Sequence, residues 1–267
     1  MQAWEGKWAL VTGASAGIGA ALARELAGQG THLVLTARRK ERLERLAQEL
    51  AAKHKIKTEV VAADLTQSSG RERVVAFTQG KGIEVELLIN NAGFGAYGEF
   101  AGTQTQKLLD MVEVNCAAVV HLTRLYLPEM MRRRRGDVLI VASTASFQGV
   151  PYLSTYAATK GFDLLFAEGL AEEMKAYGVR VCALCPGSTE SEFQEVAGQT
   201  NVGASMRRRE TAEKVARTGL RALAAGKHYV ISGLGNYLGA HSQRLVPRGV
   251  VTHFAAKMFR PASKRTS

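Results

Sequence analysis

Short β-rich runs alternate with longer helical segments along most of the chain, and this alternation restricts the possible folds more than any other feature. The segments that predict helices are 17–28, 40–53, 67–79, 104–131, 154–177 and 211–225. The runs that predict strands are 8–12, 32–36, 58–63, 86–90, 138–143, 179–184 and 228–231. Parallel strands joined by helical crossovers give this order. We therefore expect an α/β fold with a doubly wound parallel sheet of the Rossmann type.

The size of the chain fits one such domain followed by an extension. An α/β fold commonly uses about 250 residues as one unit, and this chain has 267. The last predicted strand ends near residue 231, and the chain continues well beyond it. We therefore predict one Rossmann-type domain over residues 1–232 and a C-terminal extension over residues 233–267.

The net charge of +11 is concentrated near the C-terminus. Residues 201–267 hold 13 of the 35 Lys and Arg but only 2 of the 24 Asp and Glu, so the first 200 residues are neutral. The extension has three competing interpretations: a lid over the substrate cleft, a subunit contact, or a basic segment on an anionic membrane surface. Contact with nucleic acid is the weakest alternative, because aromatic residues are sparse and no nucleic-acid-binding motif is present. We expect no nucleic-acid partner.

A glycine-rich turn connects the first predicted strand to the first predicted helix. Glycines allow a tight turn and close backbone approach, and the helix N-terminus offers free N–H groups to a dinucleotide pyrophosphate. The glycine spacing, GxxxGxG, differs from the general GxGxxG fingerprint and is a weak signal by itself. The predicted contacts of this turn with the cofactor are Gly13, Ser15, Ala16, Gly17, Ile18 and Gly19.

Two arginines follow the second predicted strand. An NAD-selective site usually has an acidic residue there to bind the ribose hydroxyls, whereas this sequence has Arg38 and Arg39. Guanidinium groups attract a 2′-phosphate and bind it with charge-assisted hydrogen bonds. The pair therefore predicts NADP(H) as the cofactor. Further cofactor contacts are expected where the third and fourth strands end, at Asp64, Leu65, Asn91, Ala92 and Gly93.

Tyr156 and Lys160 lie four residues apart in a helical segment, so both project from one helix face. Ser143 closes the preceding strand and reaches the same edge of the sheet. Carbonyl reduction needs a proton donor near the substrate oxygen, and a phenol suits this task if its pKa falls towards neutrality. The Lys160 ammonium, assisted by an oxidised nicotinamide, is the predicted cause of such a fall. A YxxxK pair alone is weak evidence, but here it coincides with the glycine turn and the serine.

These motifs together resemble those of the classical short-chain dehydrogenase/reductase family. The matching segments are TGASAGIG (12–19), NNAG (90–93), Asn115, Ser143, YAATK (156–160) and PGSTES (186–191). The resemblance covers roughly residues 5–232 and implies seven strands in the order 3-2-1-4-5-6-7. It also implies assembly into a homodimer or homotetramer through the helices at 104–131 and 154–177.

The same resemblance implies specific roles for site residues. Tyr156 is the acid/base, Ser143 orients the substrate oxygen, and Lys160 holds the nicotinamide ribose and lowers the tyrosine pKa. Asn115 would anchor a water that links Lys160 to solvent, although a buried structural asparagine at a helix kink is an alternative. The implied contacts to the carboxamide and phosphates of the nicotinamide half are Pro186, Gly187 and Thr189.

The substrate is not identified by the sequence. The extension departs from the short C-terminus of many family members and resembles a poorly characterised bacterial-type subgroup. We expect a small-molecule carbonyl or alcohol, with steroid, acyl chain and small ketone all open. The predicted apolar pocket comprises Phe94, Tyr97, Phe147, Val150, Tyr152, Leu153 and Phe193, together with Ser143.

Two alternatives to this activity stay open. One is a non-catalytic NADP-binding sensor or scaffold, which would have no need of Tyr156 as a proton donor. The other is a membrane-associated reductase of lipid-like acyl or steroid ketones.

Cysteine usage suggests the compartment. Three cysteines are too few for a disulfide framework, which favours a cytoplasmic protein, with membrane-surface contact through the extension as the alternative. Cys182 and Cys185 form a CxxC pair, but residues three apart on a strand point to opposite faces and would not react with each other. The sequence predicts no metal site.

Overall fold

A seven-stranded parallel sheet forms the centre of the molecule. The computed structural model describes residues 3–190, 192–198 and 209–261. The strands lie in the order β3-β2-β1-β4-β5-β6-β7, as predicted. Their bounds are β1 Trp8–Thr12, β2 His32–Ala37, β3 Thr58–Ala62, β4 Val85–Asn90, β5 Gly136–Val141, β6 Val179–Cys185 and β7 Tyr229–Ile231.

Helices cover both faces of this sheet, as a doubly wound fold requires. They are α1 Gly17–Ala27, α2 Lys40–His54, α3 Ser68–Gly80, α4 Thr105–Val112, α5 Ala118–Arg133, α6 Ser154–Met174, α7 Phe193–Ala197, α8 Ala212–Ala224, α9 Leu234–Ser242 and α10 Arg248–Phe259. Short 3₁₀ turns lie at Phe100–Gly102, Thr144–Phe147, Lys175–Tyr177 and Gln243–Leu245.

The sheet separates two hydrophobic cores. One contains side chains from α3, α5 and α6, and the other contains side chains from α1, α2 and α8. Cys185 belongs to the first core and Cys182 to the second, which confirms that these two cysteines face opposite sides of β6. Strands β4 and β5 are buried along their whole length, as expected for central strands that are covered on both faces.

The predicted single helix over residues 104–131 is interrupted. A π-helical turn, Glu113–Ala117, separates α4 from α5 and contains the fully buried Asn115. Single π turns inside α-helices often mark functional sites. The extra residue in this turn displaces the backbone at Asn115, so the 3.6-residue periodicity of the sequence did not predict it.

The extension folds as two helices, α9 and α10, which pack on the rest of the chain through few buried residues. Only Ala240 and Ala255 are buried in these helices. The Tyr97 hydroxyl donates a hydrogen bond to the Phe259 carbonyl oxygen at 2.8 Å, which connects the end of α10 to the domain. Residues 262–267 of the predicted extension lie outside the described residues. No helix among the described residues combines the length and apolar character needed to cross a bilayer.

Candidate active site

A cavity of about 710 Å³ lies at the carboxyl ends of the strands, where open α/β sheets bind ligands. The glycine turn, the ends of β2–β6 and the extension all contribute to its wall. The sheet therefore brings sequence-distant segments to one edge, as the motifs predicted.

Close backbone contacts require the glycines of the turn after β1. Gly13 has a φ of +66°, and a Cβ atom there would lie 2.8 Å from Ala92 Cα. A Cβ atom on Gly19 would lie 2.5 Å from Asn91 Nδ2. The Asn91 amide itself donates to the Thr12 carbonyl at 2.8 Å and so joins the ends of β1 and β4. The NNAG segment thus stabilises the glycine turn as well as lining the cavity.

The N-terminus of α1 opens onto the cavity. Ala16, the residue that precedes the helix, makes no side-chain capping hydrogen bond, so the first N–H groups of α1 have no side-chain acceptor at that position. This arrangement suits a pyrophosphate. The structure brings every predicted cofactor residue to the cavity wall, namely Gly13, Ser15, Ala16, Gly17, Ile18, Gly19, Arg38, Arg39, Asp64, Leu65, Asn91, Ala92, Gly93, Tyr156, Lys160, Pro186, Gly187 and Thr189. Ser191, the last residue of the PGSTES motif, lies outside the described residues.

Arg38 and Arg39 are exposed at one end of this cavity. The Arg39 guanidinium donates to Ser15 Oγ at 3.2 Å and pairs with Glu192 at 2.8 Å. Hydrogen bonds from Arg42 and Arg39 hold the pKa of the Glu192 carboxyl below its ordinary value. Glu192 belongs to the segment after β6, so this ion pair spans the cavity mouth.

Ser143 and Tyr156 both line the cavity, and their side chains lie within hydrogen-bond reach of each other. Ser143 lies just beyond β5, and its Oγ accepts a hydrogen bond from the Ala145 N–H at 3.1 Å. The Ser143 hydroxyl hydrogen is therefore left to donate to another group. Burial raises the pKa of Tyr156, whereas the Lys160 ammonium and a hydrogen bond with Ser143 act to lower it. Burial is the largest contribution, so the protein groups by themselves do not produce the predicted fall in pKa.

Lys160 is almost fully buried beside Tyr156 on α6. Its Nζ donates to the Val141 carbonyl at 2.7 Å and to Asp163 Oδ2 at 2.9 Å. Burial lowers the pKa of Lys160, but Asp163, Tyr156 and Cys116 together outweigh this effect and the net change is a rise. Lys160 is therefore held as an ammonium ion.

Asn115 lies behind the cavity wall and does not line it. Its amide donates to the Phe94 carbonyl at 3.1 Å and to Thr159 Oγ1 at 2.9 Å, while its Oδ1 accepts from the Phe94 N–H at 3.1 Å. A carbonyl oxygen can accept two hydrogen bonds, so one acceptor site of Oδ1 is available for the predicted water. The structural role is thus observed, and the relay stays a prediction.

The structure places four of the six predicted substrate-pocket residues at the cavity wall and two elsewhere. Ser143, Phe94, Val150 and Phe193 line the cavity, but Phe147 and Tyr152 do not. The Phe147 ring packs instead 6.3 Å from the Tyr229 ring and 6.4 Å from the His241 ring. Tyr152 adopts a left-handed backbone conformation with a φ of +66°. Of the other two suggested residues, Leu153 lines the cavity and Tyr97 does not.

Sequence reasoning missed several residues of the site. Met258 and Phe259 of α10 line the cavity, as does Glu192. Met258 and Phe259 are far from the recognised motifs along the chain, so only the fold brings them to the cavity, whereas Glu192 directly follows the PGSTES motif. Asp163 was also missed, although its position three residues after Lys160 on a helix was a usable signal. Among the described residues, no group of three or more His, Cys, Asp and Glu side chains is arranged to hold a metal ion.

Comparisons with known proteins agree with this geometry. The family model for short chain dehydrogenases matches residues 7–201. The very-long-chain 3-oxoacyl-CoA reductase of Bos taurus is 35% identical over 201 residues, which cover 74% of this chain and 64% of that protein. The chain thus spans less than two thirds of this relative's length.

Two solved structures share the fold over nearly the whole chain. A short-chain dehydrogenase from Sphingobium yanoikuyae in complex with NADPH has a TM-score of 0.81 and 27% identity, covering 97% of this chain and 99% of the other. A 7β-hydroxysteroid dehydrogenase has a TM-score of 0.85 and 26% identity, covering 94% and 96%. On the family match and on this geometry, the chain belongs to the short-chain dehydrogenase family of oxidoreductases.

Proposed function

We propose that this protein transfers a hydride between NADP(H) and a carbonyl or secondary alcohol, with Tyr156 as the acid/base. The observation that carries the proposal is the position of Tyr156, Ser143 and Lys160 in the same cavity as the glycine turn. A non-catalytic sensor is less well supported, because binding alone does not require a phenol, a hydroxyl and an ammonium side by side.

Each side chain has a defined task in carbonyl reduction. Bound NADPH would supply the hydride to the carbonyl carbon. Tyr156 gives its phenolic proton to the substrate oxygen, and Ser143, whose Oγ already accepts from Ala145, donates a hydrogen bond to the same oxygen. The Lys160 ammonium stabilises the phenolate that remains. A positively charged nicotinamide would act in the same direction and oppose the effect of burial on the pKa of Tyr156.

The preference for NADP(H) rests on Arg38 and Arg39. Both are at the cavity end nearest the end of β2, where the adenosine ribose is bound in this class of fold. The relative from Sphingobium yanoikuyae was solved with NADPH, which supports the same assignment. Two guanidiniums would bind a 2′-phosphate and leave NADH without a matching anion.

Replacing Tyr156 with phenylalanine tests the proposed reaction. Oxidation of NADPH would be followed with a panel of ketones, comparing the parent chain with Tyr156→Phe. We expect turnover to fall by about 10²–10⁴-fold, the usual contribution of a general acid, while NADPH affinity changes little. Equal turnover by the two proteins would contradict the assignment of Tyr156.

The substrate is proposed to be an apolar carbonyl compound. Phe94, Val150 and Phe193 line the same cavity as Tyr156, and Met258 with Phe259 adds apolar side chains from the extension. This chain is similar to a very-long-chain 3-oxoacyl-CoA reductase and to a 7β-hydroxysteroid dehydrogenase, and both names specify lipid-like substrates. A panel of 3-oxoacyl thioesters and oxosteroids, set against short polar ketones, tests this proposal. Faster turnover of the polar ketones would contradict it.

The side of the extension that faces the cavity supports its interpretation as a lid, because Met258 and Phe259 line the cavity. Its outer side favours a membrane surface. Large apolar side chains are exposed there, and no Asp or Glu occurs in residues 227–267. The exposed apolar residues outside the cavity are Leu234, Tyr237, Leu238, Leu245, Val246, Val250 and Phe254.

Sedimentation with lipid vesicles tests the membrane interpretation. We expect the protein to bind vesicles that contain phosphatidylglycerol and not vesicles of phosphatidylcholine alone, because each basic residue near an anionic surface contributes about 1 kcal/mol. Replacing Arg244, Arg248 and Lys257 with alanine should remove the difference. If the protein binds neither kind of vesicle, the membrane interpretation is contradicted and only the lid interpretation of the extension remains. The cytoplasmic location itself stays a prediction.

A second exposed apolar surface supports self-association. It lies on the helices α4–α6 and comprises Leu109, Val112, Val120, Phe162 and Leu165. These are the helices through which a homodimer or homotetramer is predicted to form. We propose that a second copy covers this surface, and Leu165→Glu should convert the assembly to monomers in analytical ultracentrifugation. A monomeric parent chain would contradict the proposal.

A further inference from the structure

Asp163 carries a buried charge that the proposed mechanism does not use. Its side chain is 0% exposed, and Oδ2 accepts from Lys160 Nζ at 2.9 Å. The other oxygen, Oδ1, is buried without a hydrogen-bond partner among the described residues. Lys160 thus donates a hydrogen bond to only one of the two carboxylate oxygens.

Among the residues that the structure describes, Asp163 is the carboxylate that acts electrostatically on Lys160. The groups that act electrostatically on Lys160 are Asp163, Tyr156 and Cys116. Burial raises the pKa of Cys116 to about 12, so this thiol stays protonated. Burial also raises the pKa of Cys185 on β6. Of the nearby charges, Glu168 raises this pKa further and Lys160 lowers it. Burial raises the pKa of Asp163 and the Lys160 ammonium opposes this rise, so the carboxylate and the ammonium stabilise each other as an ion pair.

A role in stability alone explains this pair poorly. Removing two charges from water costs several kcal/mol for each ion, and a buried pair often contributes no more than apolar side chains of the same volume. The cost is easier to understand if one of the ions is needed at the site. Lys160 lines the cavity, whereas Asp163 does not, so Asp163 must act through Lys160.

We propose that Asp163 is a positioning residue, which fixes the Lys160 ammonium at the cavity wall and keeps it charged for the nicotinamide ribose. An ammonium has three N–H donors. Val141 and Asp163 accept two of them, which leaves one directed to a ligand. This inference rests on the proposed function, because it assigns a ribose hydroxyl to the third donor.

Removing the Asp163 charge should change the pH dependence of the site. Without this anion, every loss of a proton from the coupled Tyr156 and Lys160 pair becomes easier, so the pair titrates at lower pH. The alkaline limit of ketone reduction and of NADPH binding should then move to lower pH. A purely structural carboxylate would not move either limit.

The experiment compares Asp163→Asn with the parent chain and with Glu168→Gln, a control that removes another carboxylate from the same helix. Calorimetry measures the NADPH Kd across pH, and initial rates give kcat/KM for a ketone. We expect the alkaline limits of Asp163→Asn to lie at lower pH, with NADPH binding about tenfold weaker at alkaline pH, the loss of one charge-assisted hydrogen bond. Glu168→Gln should follow the parent chain.

The outcomes separate the two proposals. Coincident pH profiles of Asp163→Asn and the parent chain would overturn the role of Asp163 while leaving the proposed function intact. Failure of the parent chain to bind NADPH would overturn both.

If Asp163→Asn does not fold, the double variant Lys160→Met/Asp163→Leu keeps the test, because apolar side chains replace both charges. Its NADPH Kd should equal that of Lys160→Met if Asp163 acts only through Lys160. A further loss of binding in the double variant would contradict the proposal.

Discussion

The two ends of the cavity are built differently. The cofactor end consists of strand ends and backbone in close contact, with Gly13 against Ala92 and Gly19 against Asn91. The other end consists of side chains from α7 and from α10, which buries only Ala255. Close backbone contacts restrict the geometry of the first end, whereas the second end depends on side chains of helices that bury few residues. The contrast explains why the sequence indicated a cofactor but no substrate.

The arginines of the cofactor end give the largest expected effect on binding. Replacing Arg38 and Arg39 together with alanine should reduce the preference for NADPH over NADH by about 100-fold or more, because two charge-assisted hydrogen bonds to the 2′-phosphate are lost. Binding of both nucleotides would be measured by calorimetry. Arg45→Ala, which removes another exposed cation of α2, is the control. An unchanged preference for NADPH over NADH would contradict the proposal that Arg38 and Arg39 bind the 2′-phosphate.

Gly19 tests how rigid the cofactor end is. An alanine Cβ would contact the Gly13 carbonyl and Asn91 Nδ2 too closely, so Gly19→Ala should lower the free energy of unfolding by about 2 kcal/mol, typical of overpacking. Gly169→Ala is the matched control, since a Cβ at this other helical glycine meets nothing within 4 Å. Denaturant unfolding would measure both. Equal stability of the two variants would show that the glycine turn shifts enough to accommodate the added Cβ atom.

Phe193 tests the substrate end. Its ring lies 5.1 Å from the Tyr156 ring, and such aromatic contacts contribute about 1 kcal/mol. Phe193→Ala should therefore raise KM for a bulky aromatic ketone about fivefold and change kcat little. Val196→Ala alters the same helix and the same cavity wall and should have a smaller effect. A large fall in kcat instead would mean that Phe193 helps to position Tyr156.

Glu192 joins the two ends and gives the smallest expected effect. It pairs with Arg39 and Arg42 across the cavity mouth, so a 2′-phosphate would have to compete with its carboxylate for Arg39. Exposed ion pairs contribute at most about 1 kcal/mol, and Glu192→Gln should therefore tighten NADPH binding by no more than about fivefold. Binding of NADH should not change. Weaker NADPH binding would mean that Glu192 assists the cofactor.

Much of the fold and of the cofactor end was predictable because the signals are local. Strands and helices follow from periodicity within short windows, and the sheet order agrees with the one that the motifs implied. The interruption at Asn115 was not predictable in this way. One extra residue in a π turn leaves no mark in the periodicity, and the hydrogen bonds of Asn115 to Phe94 and Thr159 link residues 21 and 44 positions away.

The sequence motifs by themselves implied the strand order, which the structure confirms. Spacing within one strand–helix unit was enough to predict the glycine turn and the set Ser143, Tyr156 and Lys160, which line one cavity. Only the tertiary structure decided that α10 lines the cavity, that Glu192 reaches Arg39, and that Phe147 packs on Tyr229 rather than on a substrate. These contacts join residues far apart in the chain, and their free energy depends on which surfaces the folded sheet brings together. The residue types present do not by themselves specify such contacts.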